Sequence, residues 1–198
     1  MLIERLLLER ISLRGICRAV GVGLQWLLQF MSARFQAAPE DLHAKPAHGT
    51  AAVILQRLEA ELDELWSFVS KKAKRYRIWI AMDATTRQVI AFHVGDRSQT
   101  SAEHLWTNLP ALYRERATFY TDHYIVYKGV IPPAQHRAIS KLARMTNHVE
   151  RFNCTLRQGG SRLVRSTLSF SKKLTNHIAA IRYFICDYNL TRGAAFPG

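Results

Sequence analysis

At 198 residues, 48% of them apolar, the chain can bury a real core and is sized for one medium domain with a small appendage. Its 28 Lys and Arg outnumber its 15 Asp and Glu, and the net charge of +13 points to a polyanionic partner, because cations that neutralise phosphates release condensed counterions. Cys17, Cys154 and Cys186 lack C-x-x-C spacing, which argues against a disulfide framework or a complete zinc site, and no run approaches the roughly 18 apolar residues of a membrane helix.

The first ten residues are leucine-rich but broken by Glu4, Arg5, Glu9 and Arg10, unlike a signal peptide, so a cytoplasmic, nucleoid-accessible location is expected. Residues 1–36 read as three short helices. Leu2, Leu6 and Leu7 have helical spacing, Ser12 is placed to cap Leu13 to Val20, and Gly21-Val22-Gly23 breaks the pattern before Leu24 to Met31 resumes it. This pattern suits a helix-turn-helix with Ile16, Val20, Leu27 and Phe30 inward and Gly21 at the left-handed turn. Gln25 and Gln29 are then the residues able to read base edges, and Arg14 and Arg18 can touch phosphates. The apolar character of Leu24 to Met31 also fits a hairpin that packs on the main domain or on a partner chain.

Residues 37–49, with Pro39, Pro46 and Gly49, have no sustained periodicity and read as a linker. The second domain, residues 50–198, opens with an apolar strand from about Glu61 to Val69, followed by a basic turn at Lys71 to Arg75. Ile78 to Asp83 and Val89 to Val94 form a hairpin around residues 84–88. A helix capped by Ser101 is expected to Tyr113, a fourth strand at Ala117 to Thr121 and a fifth near Arg137 to Ser140. Helices follow at about Thr146 to Gln158 and Ser171 to Tyr188. The order predicts an α/β domain: a mixed five-stranded sheet with flanking helices, in the ribonuclease-H-like (retroviral integrase-like) arrangement.

Three acids stand apart in this basic chain. Asp63 lies in an apolar strand, Asp122 closes another, and Glu150 flanks the Val149, Phe152, Leu156 stripe of a helix, with Asn153 and Arg157 beside it. Carboxylates in apolar surroundings need a compensating charge, and hard oxygen donors suit Mg²⁺ or Mn²⁺. In a ribonuclease-H-like sheet the first and fourth strands are neighbours, so the three acids can share a pair of ions and serve an in-line phosphoryl displacement. Each has a plainer reading: Asp122 as a turn residue, Glu150 as a solvated helix charge, and Asp63 displaced by Glu64, which points to the other sheet face. Asp83 is a fourth candidate, although Thr85-Thr86-Arg87 beside it fits a hairpin turn.

The segments Leu62 to Val69, Tyr120-Thr121-Asp122 with Tyr127, Val149 to Asn153, Leu156-Arg157-Gln158 through Arg162, and Ser166 to Lys172 together resemble the DDE transposases of the IS-one (insertion sequence one) family, over about residues 55 to 190. The resemblance implies DNA cleavage and strand transfer at the ends of a mobile element. It assigns the metal carboxylates to Asp63, Asp122 and Glu150, with two Mg²⁺ or Mn²⁺ ions. It also implies double-stranded DNA as partner and a homo-oligomer that joins two ends. Family members commonly carry a zinc-binding segment ahead of the helix-turn-helix; the expectation is that it has been lost here or that a separate zinc-finger protein from an upstream frame supplies it. Beyond Gln135 basic residues accumulate, and Arg157, Arg162, Arg165 and Lys172 are expected to follow the DNA backbone, Arg157 as a bidentate phosphate clamp. Two competing readings are an inactive truncated DNA-binding remnant and another metal nuclease of the same fold.

Overall fold

The structure, a computed structural model, describes residues 2–45, 58–140, 145–160, 163 and 171–195. Three helices, α1 (Leu2–Leu7), α2 (Leu13–Val20) and α3 (Leu24–Gln36), pack around buried Ile3, Ile16 and Leu27, with Val20 and Phe30 against them. The Ser12 hydroxyl accepts the Gly15 N–H at 3.1 Å, which starts α2, and Gly21 at φ 73° ends it in the left-handed region that a Cβ would strain. Ser12→Ala is expected to lower stability by about 1 kcal/mol in urea unfolding; an unchanged midpoint would show that this cap contributes nothing.

The sheet contains β1 (Glu59–Val69), β2 (Lys71–Asp83), β3 (Val89–Gly95), β4 (Thr118–Thr121) and β5 (His136–Ala138), in the spatial order β3-β2-β1-β4-β5. β2 is antiparallel to β1 and β3, whereas β4 runs parallel to both β1 and β5. The expected mixed five-stranded sheet with flanking helices is therefore present. Alternation along the central strand feeds two cores. Leu65 joins Val149, Phe152 and Leu156 of α6 (Asn147–Gly159) and Ile181 and Ile185 of α7 (Leu174–Ala195) on one face. Ala60 and Leu62 join Leu105 of α4 (Gln99–Asn108) and Tyr113 of α5 (Ala111–Arg116) on the other.

Several expected elements take a different form. Lys71 to Arg75 is not a turn: β2 already begins at Lys71, and the chain reverses at Ser70, whose φ is 65°. The single helix from Ser101 to Tyr113 is two, because Leu109 is extended ahead of Pro110, as a residue before proline prefers. Ser98 caps α4, and the Ser101 hydroxyl donates instead to Asp96 at 2.6 Å. The fifth strand starts at His136, one residue early, and α7 continues to Ala195.

In the stretch read as a linker, residues 37–45 lie on the body. Ala38 and Leu42 are buried in the α6/α7 core, and Asn189 of α7, fully buried, donates to the carbonyls of Leu42 and Val89 at 2.8 and 2.9 Å. Pro46 to Gly49 lie outside the described residues. α3 also packs on α7, with Phe35 and Tyr183 ring centroids 5.1 Å apart. Among the described residues no helix is long and apolar enough to cross a membrane.

Candidate active site

β1 and β4 pair in parallel, with Glu59 opposite Thr118 and Glu61 opposite Tyr120. The ladder ends there; Asp63 lies two residues further along β1 and Asp122 just past the last residue of β4, both beyond the same end of this parallel pair. Burial first, and then the negative charges of Glu64, Asp122 and Glu150, push the Asp63 carboxyl up to about 6. Asp122 and Glu150 thus lie within electrostatic reach of Asp63.

Each carboxylate is held by a protein donor. Asn153 Nδ2 donates to Asp63 Oδ2 at 2.7 Å, the Tyr124 N–H to Asp122 Oδ1 at 2.9 Å, and Thr146 Oγ1 to Glu150 Oε1 at 3.4 Å. Glu150 is exposed, and among the described residues no three His, Cys, Asp or Glu side chains are close enough together to hold an ion. The chemistry of the donors, not their present spacing, suits a hard divalent cation. They are carboxylate oxygens that repel one another, and the buried Asn153 Oδ1 beside them has no hydrogen-bond partner.

Glu61 was missed by the sequence reading. It is 3% exposed on β1, two residues before Asp63 and on the same face, and its Oε2 accepts the N–H groups of His148 and Val149 at 2.8 and 2.9 Å. These are orphan donors of the first turn of α6, whose own cap residue, Thr146, makes no side-chain bond to them. A strand carboxylate therefore caps the helix that carries Glu150. Burial raises the Glu61 pKa, the two N–H bonds oppose that rise, and the Glu150 charge adds to it. Glu61 and Asp63 are about 6.6 Å apart along the strand and their partners on α6 about 6–7.5 Å apart along the helix, so both bonds form at once. Glu150 sits on the turn between them. His148 faces Glu61, with Nε2 4.0 Å from Oε1, whereas His123 is exposed.

On the other face of β1, Glu64 pairs with Arg97, Nε to Oε1 and Nη2 to Oε1 both at 2.7 Å, and Tyr127 OH lies 3.4 Å from Oε2. Glu64 is thus bound into an ion pair on the face of β1 away from Asp63. Asp83, buried, accepts the Thr85 N–H at 3.0 Å and the Tyr113 hydroxyl at 2.7 Å, so it serves the hairpin turn.

Arg14 and Arg18 are exposed on α2, and Gln25 and Gln29 on α3. Leu24, Trp26 and Leu28 are exposed beside the glutamines, at 38, 47 and 38%. Arg157 is exposed on α6, on the solvent side of the Val149-Phe152-Leu156 stripe, and Lys172 just ahead of α7. Arg162 and Arg165 lie outside the described residues.

A mixed five-stranded sheet with flanking helices is consistent with the fold of a DDE transposase. Residues 56–190 match the family described as IS1 transposase. The Insertion element IS1 protein InsB of Shigella flexneri is 35% identical over 126 residues, 64% of this chain and 92% of that protein. The Insertion element iso-IS1n protein InsB of Shigella dysenteriae is 34% identical over 128 residues, 65% of this chain and 94% of that protein. The Insertion element IS1 4 protein InsB of Escherichia coli strain K12 is 32% identical over 126 residues, 64% and 72% of the two chains. The chain belongs to the IS1 transposase family.

Proposed function

We propose that this chain cuts DNA at the ends of an insertion sequence and joins the freed 3′ ends to a target, with Asp63, Asp122 and Glu150 as the metal-binding carboxylates. The observation that supports this reading is the parallel pairing of β1 with β4, beyond whose end both Asp63 and Asp122 lie, together with the rise of Asp63 to about 6, caused first by burial and then by the charges of Glu64, Asp122 and Glu150. The strand order β3-β2-β1-β4-β5 with β2 reversed supports a ribonuclease-H-like fold. Mg²⁺ or Mn²⁺ ions, two in number, would be held by these carboxylates and, when bound, would supply activation of the attacking oxygen and charge stabilisation at the leaving oxygen. The rest is done by the chain itself. Asn153 orients Asp63, the Glu61 cap fixes the helix bearing Glu150, and Arg157 and Lys172 grip phosphates beside it, with Arg162 and Arg165 continuing the basic run.

α2 and α3 act as a helix-turn-helix, Arg14 and Arg18 on the backbone and Gln25 and Gln29 at base edges. The protein works in the cytoplasm on nucleoid DNA, as a homo-oligomer that brings two ends together, with a separate zinc-binding protein assisting end recognition. The test supplies a pre-cleaved duplex with a free 3′ hydroxyl and a supercoiled target plasmid, in Mg²⁺ or in EDTA. Joined product that requires the metal is expected. Cleavage without joining would make the chain another nuclease of this fold, and DNA binding with neither would make it an inactive remnant.

A further inference from the structure

Arg97, between β3 and α4, forms a pre-set cation beside the acidic edge. Its Nε donates to Glu64 Oε1 at 2.7 Å, its Nη2 lies 2.7 Å from the same oxygen, and its guanidinium lies over the Tyr124 ring, 4.2 Å from the centroid. Tyr124 returns a hydrogen bond from its hydroxyl to the Arg97 carbonyl at 2.8 Å, and its N–H donates to Asp122 Oδ1 at 2.9 Å. One hydrogen-bonded residue therefore separates Arg97 from Asp122. The Glu64 side chain is 5% exposed and that of Arg97 is 49% exposed. The anion of the pair is inside and the cation faces water, with Nη1 bonded to no described residue.

A surface ion pair serving stability alone gains little and has no need of a buried carboxylate. A guanidinium clamped by a buried partner and an aromatic face has already lost its rotamer freedom, so it binds an anion with little further ordering cost. The position also matters. Glu64 and Arg97 lie on the face of β1 opposite Asp63 and α6, so a strand laid across the Asp63–Asp122 edge has Glu150 on one side and Arg97 on the other. Four carboxylates in this neighbourhood (Asp63, Glu64, Asp122, Glu150) repel a phosphate chain, and an outward cation offsets them there.

We propose that Arg97 binds a backbone phosphate of the DNA strand that crosses Asp63 and Asp122, on the side away from Glu150, and that Glu64 is a positioning residue holding that guanidinium. This rests on the reading of the edge as a DNA-processing site. The experiment measures affinity for a mixed-sequence DNA duplex as a function of salt, using wild type, Arg97→Ala, Arg97→Lys and the double variant Glu64→Gln/Arg97→Gln. The double variant removes the charge without stranding a buried carboxylate, so it reports even if Arg97→Ala misfolds. Loss of one phosphate contact is expected to weaken binding about tenfold and to lower the slope of log K against log salt by about 0.9. Arg97→Lys should keep the slope and lose only part of the affinity, since a point charge replaces a fork. The Arg97 ¹⁵Nε resonance should shift on adding the duplex and not on adding inorganic phosphate at the same phosphate concentration.

An unchanged salt slope in both charge-removing variants, or an unshifted Arg97 resonance, overturns the proposal. A shift with free phosphate alone makes it a small-anion site and also overturns it. Wild type that binds DNA through Arg97 but joins no ends would sink the transposase reading and leave the phosphate site standing.

Discussion

Asp63→Asn is expected to cut metal-dependent strand joining by at least about a thousandfold, roughly 4 kcal/mol of transition-state stabilisation, and to make the metal-free protein more stable. The two effects have one cause. Asp63 has a pKa of 3.8 when unperturbed and about 6 in the fold, so the folded state holds its proton more tightly than the unfolded chain does. Stability from this group is fully present below about pH 4 and is lost as pH rises through about 6. Two units at about 1.36 kcal/mol each set a ceiling near 3 kcal/mol, and about 2 kcal/mol is expected once residual solvation is allowed for. Glu61 and Glu64, both raised by burial, tilt the profile the same way, so the difference between wild type and variant isolates Asp63. Asn153 can still donate to the new amide oxygen, which keeps the local packing. Urea unfolding in EDTA across pH 4 to 7 checks this, with Mg²⁺ added afterwards. Mg²⁺ should stabilise wild type and leave the variant nearly unmoved. A variant less stable than wild type at neutral pH, or one that still joins ends, would remove Asp63 from the site.

The sheet was legible because its signals are local. Apolar runs of strand length bounded by turn residues predict β1 to β4, and the Val149-Phe152-Leu156 spacing predicts which side of α6 is buried. Asp63 and Asp122 stood out because acids at such positions carry an evident cost. What was missed depends on contacts between distant residues. Glu61 reads as an ordinary acid until its partners, two backbone N–H groups 87 and 88 residues along, come into view. The available signal was its position two residues from Asp63 on the same face. Arg97 offers no such signal, since only the fold brings it to Glu64, 33 residues away, and to Tyr124. The basic run at Lys71 to Arg75 resembles solvated turn sequence, yet it continues the hairpin partner of β1, so pairing outweighs composition there. The break at Pro110 was readable from proline alone.

Glu61→Ala carries the second large effect, and it tests whether the acidic edge depends on a remote helix cap. The carboxylate makes two charge-assisted bonds at the positive end of α6, each worth about 1.5–3 kcal/mol before the cost of burying the charge is subtracted. Removing it strands one buried and one half-buried N–H group and opens a small cavity, so stability should fall by about 2–4 kcal/mol. Glu61→Gln keeps one acceptor oxygen and should lose roughly half as much. The functional consequence runs through Glu150, which stands on the turn between the Glu61 cap and the Asn153–Asp63 bond. With one of the two ties gone, α6 remains anchored by Val149, Phe152 and Leu156, but its first turn is free to shift. Apparent Mn²⁺ affinity and joining rate should then drop about 10–100-fold, the usual cost of losing a group that orients a metal ligand. Glu59→Gln is the matched control. It disturbs the same strand at the Tyr120 hydroxyl, 2.9 Å away, while leaving the Glu61 carboxylate in place, and should leave metal affinity within about threefold. Amide exchange adds a local measure, since protection at His148 and Val149 should fall in Glu61→Ala and hold in Glu59→Gln. If those amides stay protected, or if they open while Mn²⁺ affinity is unchanged, then Glu61 only steadies the helix and the acidic edge is organised without it.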